Sequence, residues 1–265
     1  MILRGLETAA NGMQALIDQN DSTANNIANV NTVGFKKQSL VFKDIYDSSV
    51  TQKDSVTDEI KDIGQLSVGS QVQKLTYDFS QGVLNRTENT FDVAIQGDGF
   101  FKIQSNSGQT AYTRNGSFVL NNNGNLVTKE GDMVLDDRNK PIKITTNGVV
   151  MRSMNDIIIR SDGQIELSND QNQTVLQKLG VYDFANKEDM VGLGASQFRP
   201  VNINTNPELK AEKFSIQQGS LEMSNANVVN EMIKTISTSR NYESLSKVVK
   251  SSGDSLSQAI KVGRL

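Results

Sequence analysis

Apolar residues at the start of the chain recur on alternating three- and four-residue steps: Leu3, Leu6, Ala10, Met13, Ile17, Ala24 and Ile27, with polar Asn20 interrupting the seam. The spacing predicts one helix over residues 3–29, about 40 Å long at a rise of about 1.5 Å per residue. A second stripe near the other end comprises Val228, Val229, Met232, Ile233, Ile236, Tyr242, Leu245, Val248, Val249, Leu256 and Ile260. It predicts a helix of about 50 Å that reaches roughly Val262. Ser224, Asn225 and Asn227 are each N-cap candidates for it, and Glu231 in the first turn complements the helix dipole.

Both helices have poor intrinsic propensity. Gly5 and Gly12 each cost the first about 1 kcal/mol, and the second carries many serines and Gly253. A clear apolar seam on a weak helix is best explained by a partner that completes it, because packing then supplies the stability. The plainer alternative is an amphipathic helix packed on its own domain.

Between the helices the pattern changes twice. From Gln38 to about Gln81 apolar residues are sparse, which reads as an extended connector with short strands around Leu66–Val72 and at Leu75, Tyr77 and Phe79. Residues 83–200 are punctuated by Gly97-Asp98-Gly99, Asn115-Gly116, Asn123-Gly124, Asn147-Gly148 and Asp162-Gly163. Strand-like runs separate these turns: 91–95, 100–103, 117–120, 157–159 and 164–167. Asn-Gly and Asp-Gly in that setting signal hairpins, since a type I′ turn needs positive φ at both central positions. From Pro200 to Leu221 a polar extended path leads back towards the second helix.

The expected fold is therefore α+β. Residues 1–36 and 223–265 form a terminal helical domain whose long helices make a coiled-coil-like pair, residues 37–82 a connector, and residues 83–222 a hairpin-rich, all-β domain.

Composition narrows the chemistry. The 265 residues contain no Cys and no His, which excludes disulfides, thiol and Ser/His/Asp catalysis and ordinary zinc sites. A net charge of −3 with both signs interspersed gives no basic surface for nucleic acid or anionic membrane. Arg4, Glu7 and Asn11 break up the amino terminus, so it is not read as a secretory signal, and no apolar run approaches the roughly 20 residues that span a bilayer. Composition alone points to the cytoplasm. Gly97 and Gly99 precede a strand and no Lys-Ser/Thr follows, so they read as a turn and not as a phosphate loop. Asp98, Asp132, Asp136, Asp137 and Asp162 lack calcium-loop spacing and read as solvated turn residues. No catalytic residue, metal, cofactor or small-molecule substrate is expected.

One stretch is more specific. Ala24-Asn25-Asn26-Ile27-Ala28-Asn29-Val30-Asn31-Thr32-Val33-Gly34-Phe35-Lys36 resembles, at every fixed position, the signature of the flagellar axial proteins, the family of rod and hook subunits. Asp92-Val93-Ala94-Ile95-Gln96-Gly97-Asp98-Gly99-Phe100-Phe101 and Ala111-Tyr112-Thr113-Arg114-Asn115-Gly116-Ser117-Phe118 resemble two further blocks of that family. Ser224–Met232 and Arg240-x-Tyr242-Glu243-x-x-Ser246-Lys247 resemble its carboxy-terminal signature, with Ser239, Asn241 and Gly253 as departures. The segment around Val68-Gly69 and Ser80-Gln81-Gly82 favours the distal-rod branch.

The resemblance implies a structural subunit of the bacterial flagellar basal-body rod. Its terminal helices would polymerise it into a hollow, torque-transmitting shaft. Partners would be copies of itself, other rod and hook subunits and the flagellar type III export apparatus, through which the chain would leave the cytoplasm for the envelope-spanning basal body. Expected assembly surfaces are Leu3, Leu6, Met13, Ile17, Asn25, Asn26, Ile27, Asn29, Asn31, Thr32, Gly34, Phe35 and Lys36 on the first helix and its exit. On the second they are Asn227, Val228, Met232, Ile236, Arg240, Tyr242, Leu245, Val249 and Leu256. A hook or hook-associated subunit, a β-rich binding module or adhesin, and a carboxylate-based glycan-cleaving enzyme are the alternatives.

Overall fold

The computed structural model describes residues 2–53, 60–105, 107–146, 149–150, 157–169 and 172–262. The chain divides into two compact units: residues 1–27, 38–75 and 227–265, and residues 28–37 and 76–226.

The first unit contains both long helices, α1 (Ile2–Ala28) and α2 (Val228–Val262), close to the bounds that the apolar steps predict. α1 stops within the asparagine-rich run, after Ala28. Thr32 N–H donates to Asn29 O (3.1 Å), Phe35 N–H to Thr32 O (3.4 Å), and Gly34 adopts φ +67°. Of the three N-cap candidates, Asn227 caps α2: its Oδ1 accepts from Asn230 N–H at 3.2 Å. Ser224 Oγ instead accepts from Ala226 N–H, and Asn225 Oδ1 from Lys37 N–H at 2.8 Å.

The stretch read as a connector contains two long strands, β1 (Gln38–Lys53) and β2 (Ile60–Tyr77), paired in a two-stranded sheet. Their polar composition hid most of the strand character, which was visible around Leu66–Val72 and in the alternation near Leu75, Tyr77 and Phe79.

The second unit is β-rich. Strands β3 (Leu84–Arg86), β4 (Val93–Gly97), β5 (Phe100–Gln104), β6 (Thr110–Thr113), β7 (Val119–Leu120), β8 (Leu126–Val127) and β9 (Met133–Val134) come first. Two short hairpin strands follow, β10 (Thr145–Thr146) and β11 (Val149–Val150), then β12 (Ile157–Ile159), β13 (Gln164–Asn169), β14 (Asn172–Lys178) and β15 (Val181–Phe184). β16 (Met190–Gly194), β17 (Gln197–Pro200), β18 (Glu208–Lys210), β19 (Phe214–Gln218) and β20 (Ser220–Glu222) complete it. The largest sheet runs β16-β17-β6-β5-β9-β8-β7, with β15 joining β5 to β18. The polar return path thus contains three ladders, β18 on β15, β19 on β4 and β20 on β3.

Alternation sends the two faces of β5 into different apolar cores, Phe101 and Ile103 into one and Phe100 into the other. Val93, Ile95, Phe101, Ile103, Phe118, Leu126, Val134 and Ile165 lie in one apolar core. Phe100, Tyr112, Tyr182, Phe184, Met190 and Phe198 form a second, in which Phe79 meets both Phe100 and Phe198 edge-on at 5.2 and 5.1 Å.

The glycine turns follow a different geometry from the type I′ expectation. At Asn123-Gly124 and Asp162-Gly163 only the glycine has positive φ. Gly116 is not left-handed: a Cβ there would lie 1.6 Å from Val93 O, so close backbone approach excludes a side chain. Asn147-Gly148 lies outside the described residues.

Candidate assembly surface

Within the helical unit the buried line on α1 is not the predicted seam. Ala9, Ala15, Thr23 and Asn26 are buried, while Ala10, Ile17 and Ala24 are exposed and Leu6, Met13 and Ile27 half-buried. Ala9, Thr23 and Asn26 each precede a seam residue by one position, which rotates the buried line by about 100° at 3.6 residues per turn.

On α2 the predicted stripe divides: Leu245, Val249 and Leu256 lie on the inward line, but the apolar residues of the first turns do not. Glu231 and Thr238 are buried, and Leu245, Val249, Ser252 and Leu256 continue that line half-buried on three- and four-residue steps. The larger apolar residues of its first turns point away: Met232 is 51% exposed, Ile233 57% and Ile236 53%.

Small and polar groups therefore face inward. A Cβ on Gly12 would lie 3.3 Å from Leu245 Cδ1, so a bare glycine lets α2 approach there. Asn26 Nδ2 donates to Glu231 Oε2 (3.2 Å) and to Gln38 O (2.9 Å), and its Oδ1 accepts from Gln38 N–H (2.8 Å). One asparagine thereby ties α1 to α2 and to the start of β1. Glu231 Oε1 also accepts from Lys234 Nζ at 3.3 Å.

The end of the asparagine-rich signature serves the β-rich unit. Gly34 N–H donates to Glu222 O at 2.8 Å, and a Cβ on Gly34 would meet Asn115 N at 2.3 Å. Lys36 is 1% exposed and its Nζ donates to Glu222 Oε1 and to Ser80 O, both at 2.7 Å. Glu222 Oε1 also accepts from Gly82 N–H (2.9 Å), and its Oε2 from Arg114 Nη1 (3.1 Å). Arg114 Nη2 donates to Gly97 O at 2.8 Å, with its guanidinium 5.4 Å from the Phe100 ring centroid. Desolvation lowers the Lys36 pKa below its ordinary value, opposed by the charge and hydrogen bond of Glu222. One carboxylate thus neutralises two buried cations drawn from distant parts of the chain.

The expected surface residues divide accordingly. Asn26, Gly34, Phe35 and Lys36 are buried within the chain itself. Ile17, Asn25, Asn31, Asn227, Met232, Ile236, Arg240 and Tyr242 are exposed. Leu6, Met13, Ile27, Asn29, Thr32, Val228, Leu245, Val249 and Leu256 are half-buried. The side chain of Leu3 lies outside the described residues.

Sequence reasoning missed Glu222, whose isolated position gave no signal, and a second polar cluster in the β-rich unit. There Lys102 Nζ donates to Asn139 Oδ1 and Glu208 Oε1, both at 2.8 Å, and the Tyr112 hydroxyl donates to the Glu208 carboxylate. Burial, then the Glu208 hydrogen bond and charge, pushes the Tyr112 phenol far above its ordinary pKa, so it keeps its proton. Gly97 and Gly99 have φ +102° and +117°, and a Cβ on Gly97 would lie 2.5 Å from Lys213 O, as a packed turn requires. Among the described residues no group of three or more Asp or Glu could hold a metal ion, and no helix is long and apolar enough to cross a membrane.

Three family models match in chain order. Residues 6–36 match the flagella basal body rod protein, residues 94–167 the flagellar hook protein FlgE/F/G D1 domain, and residues 217–262 the flagellar basal body rod FlgEFG protein C-terminal region. The flagellar basal-body rod protein FlgG of Bacillus subtilis (strain 168) is 32% identical over 272 residues, covering 99% of this chain and 100% of that one. FlgG of Borreliella burgdorferi is 32% identical over 271 residues, covering 99% of this chain and 100% of its own. The rod protein FlgF of Mesorhizobium japonicum is 32% identical over 257 residues, covering 97% and 96%. Similarity at this level along nearly the whole of both chains, together with signatures at both ends and in the centre, means that the chain belongs to the flagellar basal-body rod protein family.

Proposed function

We propose that this chain is a structural subunit of the flagellar basal-body rod that polymerises through the outward faces of its two terminal helices into a hollow shaft transmitting torque. The family is a structural component of the basal body and not an enzyme family. The supporting observation is the inverted helix pair: small and polar groups such as Ala9, Gly12, Ala15, Asn26 and Glu231 face inward, while Ile17, Met232, Ile233 and Ile236 face solvent.

Large apolar side chains left in water on one stripe of a long helix gain free energy only by being covered, roughly 25 cal/mol per Å² removed from water. Copies of the same chain, and neighbouring rod and hook subunits, are the partners that would cover them in a coiled-coil-like array. Contacts between different faces of identical subunits close into a ring or, where the rotation between copies does not close, continue as a helical filament, and the filament is the form a rod requires. Weak helix propensity suits export through the flagellar type III apparatus, because a chain threaded unfolded should order its termini fully only on assembly. The distal part of the rod is the favoured position.

Electron microscopy of basal bodies from cells lacking the gene tests the reading. A missing or truncated rod on a ring-bearing base is the expected result. A complete rod lacking only the hook would make the chain a hook-type subunit, and intact flagella would overturn the assignment.

A further inference from the structure

Between α1 and α2 lies a groove of about 290 Å³ lined by Leu16, Ile17, Asn20, Thr238, Tyr242 and Glu243. Its walls are largely apolar, and one polar atom in it is anomalous: Asn20 Oδ1 is buried and has no hydrogen-bond donor. A buried acceptor without a partner is disfavoured, and folded chains rarely retain one without a reason. Asn20 is also the residue that interrupts the apolar seam of α1, and a polar group in such a seam fixes the register of helix association.

We propose that this groove receives Arg240 of a second copy of the chain, whose guanidinium donates to Asn20 Oδ1 and pairs with the Glu243 carboxylate at the rim. The inference rests on the assembly reading above and names the residues that set its register. Ile236 and Arg240 stand four residues apart on one face of α2, both exposed, so an apolar side chain and a cation on an apolar stem arrive together. That matches a groove with apolar walls, a neutral acceptor and a carboxylate. Charge complementarity supports the same partner. α1 carries Glu7, Asp18 and Asp21 against Arg4 alone, whereas α2 carries Lys234, Arg240, Lys247, Lys250 and Lys261 against Glu231, Glu243 and Asp254. Arginine suits the site better than lysine, since its planar fork offers five donors and can serve both acceptors at once. Arg240 does not itself line the groove, so each copy can both accept and insert, a head-to-tail contact that yields a filament where its rotation does not close.

The absence of cysteine from the chain gives a direct test. Two differently tagged copies, one Ile17→Cys and one Ser237→Cys, are expressed together in cells lacking the native gene, and isolated basal bodies are treated with a short bismaleimide. Each copy has a single thiol, so a cross-link between them can arise only in trans. A heterodimer carrying both tags is expected. Incorporation of both copies, verified with a monofunctional maleimide, but no heterodimer would overturn the proposal. So would an adduct of the Ile17→Cys copy with a different rod or hook subunit only.

Asn20→Leu and Asn20→Asp complete the test if the cysteine copies do not assemble. Leucine removes the orphan acceptor, so the monomer's unfolding midpoint holds or rises while rod incorporation falls about tenfold, the equivalent of one lost buried hydrogen bond. Aspartate keeps the acceptor and retains incorporation. Unchanged assembly of Asn20→Leu would sink the idea. Truncated rods in the gene deletion combined with that result would leave the assembly reading standing and remove only the groove.

Discussion

Lys36 Nζ and Glu222 Oε1 are 2.7 Å apart although 186 positions separate them in the chain, and both side chains are almost wholly buried. The pair joins the exit of α1 to the last strand before α2 within the β-rich unit. Truncating a buried ion pair on one side leaves an uncompensated charge, and here Glu222→Ala would strand both Lys36 and Arg114. Chemical denaturation of the monomer should show a loss of about 3–5 kcal/mol. A loss within the ordinary surface range, about 0.5 kcal/mol, would mean that water replaces the carboxylate.

The same lysine gives a pH signature. Burial places the Lys36 pKa below the unfolded value of 10.5, so between the two values the unfolded chain binds more protons than the native one. The contribution of Lys36 to stability therefore rises as the pH climbs through its folded pKa towards 10.5, and is flat below that window. Subtracting the stability profile of Lys36→Met from that of the unaltered chain should isolate this slope. A difference curve that falls across the alkaline range would contradict the desolvated environment.

Gly34 is required twice over, by φ +67° and by the 2.3 Å approach of a hypothetical Cβ to Asn115 N. Gly34→Ala should destabilise the monomer by about 2–4 kcal/mol, combining left-handed strain with overpacking against backbone that has no soft rotamer to yield. Thermal unfolding followed by circular dichroism measures this directly. Behaviour like the unaltered chain would show that the turn can be rebuilt without glycine.

Replacing the outward residues should separate folding from assembly. Met232→Ser with Ile236→Ser removes only solvent-facing apolar groups, so the monomer's unfolding free energy should stay within about 0.5 kcal/mol per site. Basal bodies from cells carrying the double variant should nonetheless lack complete rods. Normal rods would argue that other surfaces carry the assembly.

Periodicity alone located both long helices to within a residue or two, because their apolar residues repeat at helical spacing over many turns. Phe91–Ile95, Phe100–Ile103 and Gln164–Leu167 were legible as strands for the corresponding reason, and the asparagine-rich signature carried the family. Outside the polar stretch that holds β1 and β2, the sequence by itself thus determined the kinds of element, their order and the class of protein, since these depend on local spacing and residue chemistry.

Which face of each helix is buried was a tertiary decision. A seam such as Ala10, Ile17 and Ala24 announces that a face will be covered but cannot say whether by the same chain or by another, and here the line one residue behind it is the one buried. Glu222 gained its role likewise only when the fold brought Lys36 and Arg114 to opposite oxygens of one carboxylate. Local patterns encode what a residue can do, whereas burial and electrostatic pairing arise from groups that meet only after distant segments have packed.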